Sequence, residues 1–426
     1  MDSTLRNVIK FVLAGMVGLA LLAAAFSAGF GSAYLLTGRG VLPAWPASTS
    51  PGETEEQEEG FPPTSAPTPT NADEQDFQLF WEVWGLVQHN FYGELPDMQE
   101  VTYAAIHGML LTLDDEYTAF MEPNVAAVIA EDATGEFEGI GAFVDMDEEN
   151  KLEIVGTFEG GPAEGAGLLA GDRVLEVDGI SVVGSTLYEA IGLIRGPAGT
   201  EITLLIERED VPEPFQVTLT RARLEIPIIE VEMRDDGVGY IGLREFSATA
   251  SERVEQGLEE LLDQEPEGII LDLRQNPGGW LDQAVNVSDL FLDDGVIVVE
   301  RWSDGGEQMF EADPGDVGED VPLVVLVNGS SASASEIVAG ALQDWERAVL
   351  IGEPTFGKGS VQRPFTLSDG SELRVTIALW FTPDDQVIHG HGLTPDIEVP
   401  WPEEEDLEPD MDPQLERAVE YLLVGE

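Results

Sequence analysis

The chain has 426 residues, 83 acidic against 19 lysine and arginine side chains, a formal net charge of −64 at pH 7, and no cysteine. Such an acidic balance argues against nucleic acid or an anionic membrane surface as a binding partner. The missing cysteines exclude disulfides, thiolate metal sites and a thiol nucleophile, while the length leaves room for two or three domains with ample core.

Residues 1–40 carry an uncharged apolar run from Phe11 to Thr37, longer than the roughly 20 residues that span a bilayer. Arg6 and Lys10 precede it, so the positive-inside rule expects a single-pass anchor in the cytoplasmic membrane with its short N-terminus in the cytoplasm. The alternative is a signal peptide cleaved near AAAFSA, giving a secreted protein. Either reading places the rest of the chain outside the cytoplasm. Residues 41–72 are rich in Pro, Ser, Thr and Glu and read as a disordered acidic tether.

Residues 73–126 have helical apolar spacing in FQLFWEVWGLVQHNF and YAAIHGMLLTL; His89 and His107 within them read as ordinary helix residues. Residues 127–222 are Gly-rich, with five short β-like runs and one amphipathic helix, STLYEAIGLIRG, which suggests a compact α+β module. From 223 to 400 near-continuous apolar strands alternate with helices: VGYIGLREF, GIILDLR, PLVVLVNG and AVLIGE, followed by the hairpin VQRPFTLSDGSELRVTIALWFTP. That alternation predicts a largely parallel sheet covered on both faces. Residues 401–426 form an acidic tail, with a last helix expected over 413–424.

Three loops at the carboxyl ends of predicted strands are where an open α/β sheet places a ligand. NGSSASASEI at 328–337 turns a strand into a helix whose first N–H groups suit a developing oxyanion. RQNPGG at 274–279 lets backbone N–H groups come close to a substrate. TFGKGSVQ at 355–362 holds Lys358, one of only three lysines against sixteen arginines. A desolvated lysine becomes a neutral base, whereas arginine stays charged. Together the loops suggest a serine nucleophile with a lysine base. Taken singly, the serines read as helix caps and PGG as an ordinary turn. His389 or His391 of HGHG could instead be the base of a triad or part of a metal site, with a structural turn as the default.

These motifs, together with GIGA, GGPAEGAGLLAGDRVLEVDG, RGPAGT and GHGLTPDI, resemble those of the carboxyl-terminal processing proteases of the S41 serine peptidase family over roughly residues 75–400. The resemblance implies a multidomain α/β and α+β chain: a helical N-terminal segment, a PDZ-like domain, and a β/α serine-protease core of the ClpP/crotonase-like type. It implies Ser333 as nucleophile, Lys358 as base, and Gln362 as the residue orienting that lysine. The oxyanion donors would be the N–H of Ala334 and that of Gly278 or Gly279. The loop Gly139, Ile140, Gly141 and Ala142 would capture the carboxylate of a substrate's C-terminal tail as the peptide adds as a strand. No metal or cofactor is implied, and the partners are protein or peptide C-termini. The competing reading is a catalytically silent PDZ scaffold that only binds such tails.

The charge has its own consequence. Residues 40–426 hold 82 of the 83 acids but only 16 of the basic residues, and the tether at 41–72 carries just five of the acids. Mutual repulsion therefore falls on the folded domains and destabilises them at low ionic strength. Salt shortens the screening length from about 30 Å at 0.01 M to about 3 Å at 1 M. The melting temperature should rise markedly with NaCl, as for an enzyme of a saline habitat; a curve that is flat or falls between low salt and 1 M refutes this.

Overall fold

The computed structural model describes residues 77–147, 149–209, 211–315, 317–402 and 411–425. The apolar run at 11–37 and the tether at 41–72 lie outside these residues. Among the described residues no helix is long and apolar enough to cross a membrane.

Residues 77–114 belong to a unit of their own, built from α1 (Gln78–Asn90) and α2 (Met98–Leu110). Asp97 caps α2 by accepting the N–H of Glu100 at 2.9 Å, the ordinary role of aspartate at a helix start.

From residue 115 onward the chain forms a second unit. It opens with β1 (Ala119–Met121) and α3 (Pro123–Asp132). The expected helical segment extends to 126, yet β1 pairs antiparallel with a strand more than 250 residues later, Ala119 opposite Arg374. Local spacing cannot reveal a partner that distant.

A two-stranded stem then leads into and out of the Gly-rich module. The chain enters along β2 (Glu136–Gly139) and leaves along β9 (Ala222–Glu225), which pair antiparallel. Between them lie β3 (Ala142–Met146), β4 (Leu152–Thr157), the single turn α4 (Pro162–Gly165), β5 (Arg173–Val177), β6 (Ile180–Ser181), α5 (Leu187–Ile194), β7 (Glu201–Glu207) and β8 (Phe215–Thr220). Alternate positions of β7 (Ile202, Leu204 and Ile206) are buried against Ile154 and Val174, the period-2 pattern of a sheet with one face in the core. Thr186 and Glu189 form a capping box that starts α5. Arg221 finishes it by donating to the carbonyls of Leu193 and Ile194.

The remaining chain builds two sheets. Its elements are β10 (Ile229–Met233), β11 (Gly239–Leu243), α6 (Ala250–Leu262), β12 (Ile269–Asp272), α7 (Leu281–Asp289), β13 (Gly295–Trp302), β14 (Glu307–Ala312), β15 (Leu323–Val327), α8 (Ala334–Asp344), β16 (Val349–Gly352), β17 (Ser360–Thr366), β18 (Glu372–Phe381), β19 (Ile397–Glu398) and α9 (Pro413–Val424). One sheet runs β10-β11-β12-β15-β16-β19, parallel except for β10 at its edge. Every residue of β11, β12 and β15 is buried. Ile241, Leu271 and Val325 pack with Val254, Val287 and Val338 of α6, α7 and α8. Tyr240, Ile270 and Val324 face the opposite way, towards Ala418 of α9. The continuous apolar strands in the sequence thus reflect a sheet with two covered faces.

The second sheet is antiparallel, with β1, β17 and β13 pairing with β18 and β14 pairing with β13 at the edge. The β13–β14 hairpin and β10 are absent from the expectations drawn above. β14, EQMFEA, lacks a polar–apolar alternation and is largely exposed, so it has no apolar pattern by which to be recognised.

Candidate active site

All three predicted loops lie at the carboxyl ends of β12, β15 and β16, three adjacent parallel strands. Past β15 the chain makes a short turn, and Ser333 caps α8 with φ of +55°. That region is uncommon for any residue but glycine and costs of order 1–3 kcal/mol. The outer serines of SASAS explain how it is held. Ser331 Oγ donates to the Leu273 carbonyl at 2.8 Å, and Ser335 Oγ donates to the Asn276 carbonyl at 2.9 Å. Both stitch the turn to the RQNPGG loop. Ser333 Oγ, between them, is buried and has no hydrogen-bond partner.

The RQNPGG loop abuts this serine. A side chain on Gly278 would begin 2.7 Å from Ser333 Cβ and 2.9 Å from the Ala334 nitrogen, so only glycine allows the approach. Gly279 is barred from a side chain by the Phe246 carbonyl, 2.3 Å from its ideal Cβ. The two glycines differ in their N–H groups. That of Gly278 donates to Asn276 Oδ1 at 2.9 Å, whereas that of Gly279 is not taken up in this way. Arg274, at the base of the loop, is ion-paired with Asp272 at 2.6 Å and with Asp412 at 2.9 Å.

Lys358 is wholly buried, and its Nζ has no hydrogen-bond partner. Burial pushes its pKa down to about 7; the nearby Arg374 acts in the same direction and Glu336 opposes it. Its flanking glycines accommodate the HGHG turn. A Cβ on Gly359 would fall 2.2 Å from the His389 nitrogen, and one on Gly357 2.8 Å from the Gly392 nitrogen. The turn is fastened by the Gly390 N–H donating to the Gly357 carbonyl at 2.8 Å. Gln362 is also buried; its amide donates to Ser360 Oγ at 2.8 Å and Thr376 Oγ1 at 3.3 Å, while Oε1 has no partner. No hydrogen bond joins Gln362 to Lys358 or Lys358 to Ser333 in this state. Buried polar atoms without partners are rare in folded proteins and call for a reason.

The sequence reading overlooked Glu336. Its carboxylate is completely buried and accepts four hydrogen bonds. Oε2 takes the N–H of Ser333 and of Lys358, each at 2.9 Å. Oε1 takes Thr355 Oγ1 and the Gly357 N–H, each at 2.6 Å. One side chain thus ties the serine turn directly to the lysine loop. Burial raises its pKa and the four donors pull it the other way. The signal was present as S-x-x-E across Ser333 and Glu336, the spacing of a capping box.

The GIGA loop joins β2 to β3 beside a pocket of about 260 Å³, lined by Gly139–Ala142 and by apolar side chains including Phe137, Phe158, Ile191 and Ile194. Gly141 has φ of +73°, a left-handed turn that glycine adopts without strain. Arg195, at the end of α5, also lines the pocket and pairs with Glu131 at 3.0 Å and with Asp132. Glu245 reaches the same pocket, its pKa pushed up to about 7 by burial and then by Asp132. His391 Nδ1 contacts the His389 carbonyl at 2.9 Å within the turn. His89 lies on α1 and His107 on α2.

Residues 237–399 match the profile of peptidase family S41, and residues 158–208 that of a PDZ domain. The carboxy-terminal-processing protease of Bartonella bacilliformis is 42% identical over 316 residues, covering 73% of this chain and 72% of its own. The carboxyl-terminal-processing protease of Synechocystis sp. is 39% identical over 349 residues, covering 80% of this chain and 82% of its own. The solved structure of a photosystem II D1 C-terminal processing protease aligns with a TM-score of 0.48 at 32% identity, covering 77% of this chain and 88% of that one.

The four bonds to Glu336 make a stability prediction. Glu336→Ala leaves three backbone N–H groups and a hydroxyl buried without their acceptor, and Glu336→Gln points an amide N–H₂ at two of those donors. Each substitution should cost about 3 kcal/mol or more and lower the melting temperature. A Glu336→Gln protein that melts like wild type would show the clamp to be dispensable.

Proposed function

From the premise that this chain belongs to peptidase family S41 and carries a PDZ domain, we propose that it is a serine endopeptidase that cleaves extracytoplasmic proteins near their C-termini. The observation that carries this reading is the pairing of Ser333 and Lys358: both buried, both with an unpartnered polar atom, and both held through their N–H groups by Glu336. A cap or turn residue needs none of this. A silent scaffold would gain nothing from a buried lysine.

In the proposed reaction Lys358, as the neutral amine, accepts the proton of Ser333 Oγ as that oxygen attacks the substrate's carbonyl carbon. The resulting oxyanion lies against the Ala334 N–H, at the first turn of α8, and the N–H of Gly279, since that of Gly278 is engaged by Asn276. The proton passes to the leaving amine as the peptide bond breaks. Water then attacks the acyl-enzyme, giving its proton to Lys358, and as the acyl–Oγ bond breaks that proton returns to Ser333 Oγ, leaving the lysine neutral and the product as a new C-terminal carboxyl group. Gln362 is assigned the role of orienting the lysine, through rotation of its amide during turnover. The substrate tail adds alongside β3, with its carboxylate at Gly139–Ala142 and its last side chain in the apolar pocket. The N-terminal apolar run anchors the enzyme in the cytoplasmic membrane with its catalytic part outside.

Full-length protein assayed on a peptide substrate tests these assignments. Ser333→Ala, Lys358→Ala and Lys358→Arg should all lose at least about 10³-fold in kcat/KM, because arginine keeps the charge and cannot serve as a base. Substantial turnover by the folded arginine variant would contradict the dyad.

Wild-type kcat/KM should rise with pH through about 7, the value to which burial lowers Lys358, since only the deprotonated amine can take the serine proton. Activity undiminished well below that pH would exclude the lysine as the base.

Peptides with a free apolar C-terminus should be cut faster than their amidated forms. Equal kcat/KM for the two would mean that the PDZ domain does not read chain ends.

A further inference from the structure

Lys358 is buried by more than the loops that carry chemistry. Its Nζ lies 5.8 Å from the centroid of the Tyr117 ring, and Tyr117 is itself buried. That ring also meets the His389 ring edge-on, with centroids 5.7 Å apart and planes at 66°. The ring is held from its backbone: Asp115 accepts the Tyr117 N–H at 3.0 Å and Thr118 Oγ1 at 2.6 Å. Thr118 Oγ1 in turn accepts the Thr376 N–H at 3.0 Å, and Thr376 Oγ1 accepts the amide of Gln362. The segment DEYT is therefore fastened to the same position of β18 that holds Gln362.

We propose that Tyr117 is a positioning residue for the lysine base: its ring, in contact with both Lys358 and His389, keeps water from Nζ and so holds the amine neutral. This rests on the reading of Lys358 as the base.

Two effects of the ring oppose each other. A cation over an aromatic face is attracted by the ring, which would favour protonated lysine. Exclusion of water disfavours the cation by up to several pK units for a fully buried amine. At 5.8 Å the attraction is at its outer limit, so desolvation wins. The other charged groups facing this site are Arg374 on β18 and Glu336 on α8 around the lysine, and Asp115, Glu116 and Glu336 around the tyrosine. His389 is the remaining titratable neighbour. Of these, Glu116 bonds the Tyr117 side chain, a bond that phenylalanine lacks as alanine and leucine do, so the phenylalanine variant separates the effect of that bond from the effect of the ring.

The chain contains only three lysines, so full-length protein labelled with ¹³Cε-lysine gives three resonances, and Lys358→Arg identifies the one that matters. Titration of that resonance reads the amine without relying on activity. In Tyr117→Ala and Tyr117→Leu the Lys358 titration should move up by about one pH unit or more, and the acid limb of kcat/KM should move with it. Tyr117→Phe, which keeps the ring, should leave the titration where wild type has it. Tyr117→Leu keeps much of the volume and serves should the alanine variant fail to fold.

An unmoved or lowered titration in the leucine variant overturns the proposal, as does a phenylalanine variant shifted as far as leucine. If wild-type Lys358 itself titrates near the ordinary lysine value, or if Lys358→Arg keeps its turnover, the base reading fails instead. The two failures are therefore told apart.

Discussion

The candidate constellation of Ser333 and Lys358 depends on one buried carboxylate. Ser333 begins a helix after β15, whereas Lys358 lies on a loop after β16; the β15–β16 ladder and the Phe356 N–H on the Ser331 carbonyl at 3.0 Å bring the two loops side by side without touching either functional residue. Glu336 ties Ser333 and Lys358 themselves together by accepting the N–H groups of both, with Thr355 and Gly357 completing its coordination. Hydrogen bonds to a charged acceptor are short and about twice as strong as neutral ones. A carboxylate in a dry interior would be costly without them. Four donors meet that cost and fix the geometry of two loops at once.

Around this clamp the chain leaves unsatisfied the groups that chemistry would use. The outer serines of SASAS are bonded to the neighbouring loop while the middle one is free. Lysine and glutamine side chains are buried with polar atoms left open. Each is unfavourable for stability, as is the positive φ of Ser333. The surrounding sheet, buried on both faces, supplies the rigidity that makes those costs bearable. Arg374, buried on β18 and paired with Glu372 at 2.8 Å, adds a fixed positive charge near the lysine that disfavours a second one.

The RQNPGG loop is anchored from the far side of the sheet. Arg274 joins Asp272 at the end of β12 to Asp412 at the start of α9. The last helix thereby does more than cover the apolar face formed by Tyr240, Ile270 and Val324. It holds the base of the loop whose glycines touch Ser333.

Much of this was legible in the residues. Continuous apolar runs at 269–271 and 323–327 specify a doubly covered sheet because both faces of each strand must be buried, and the capping residues of α5 and α8 mark where helices begin. The scarcity of lysine singled out Lys358, since arginine cannot lose its proton. Other features could not be read locally. β14 has too little apolar periodicity to stand out, and the pairing of β1 with β18 joins residues too far apart for any local pattern. Glu336 looked like half of a helix cap until folding brought the Lys358 loop to its other oxygen. Tyr117 lies over Lys358 although 241 positions separate them in the sequence. The sequence alone determined which residues could do the chemistry, because acid–base character and backbone freedom belong to the residue. Only the tertiary structure decided which of them are dry, strained and joined, because burial and hydrogen-bond geometry arise when distant segments pack together.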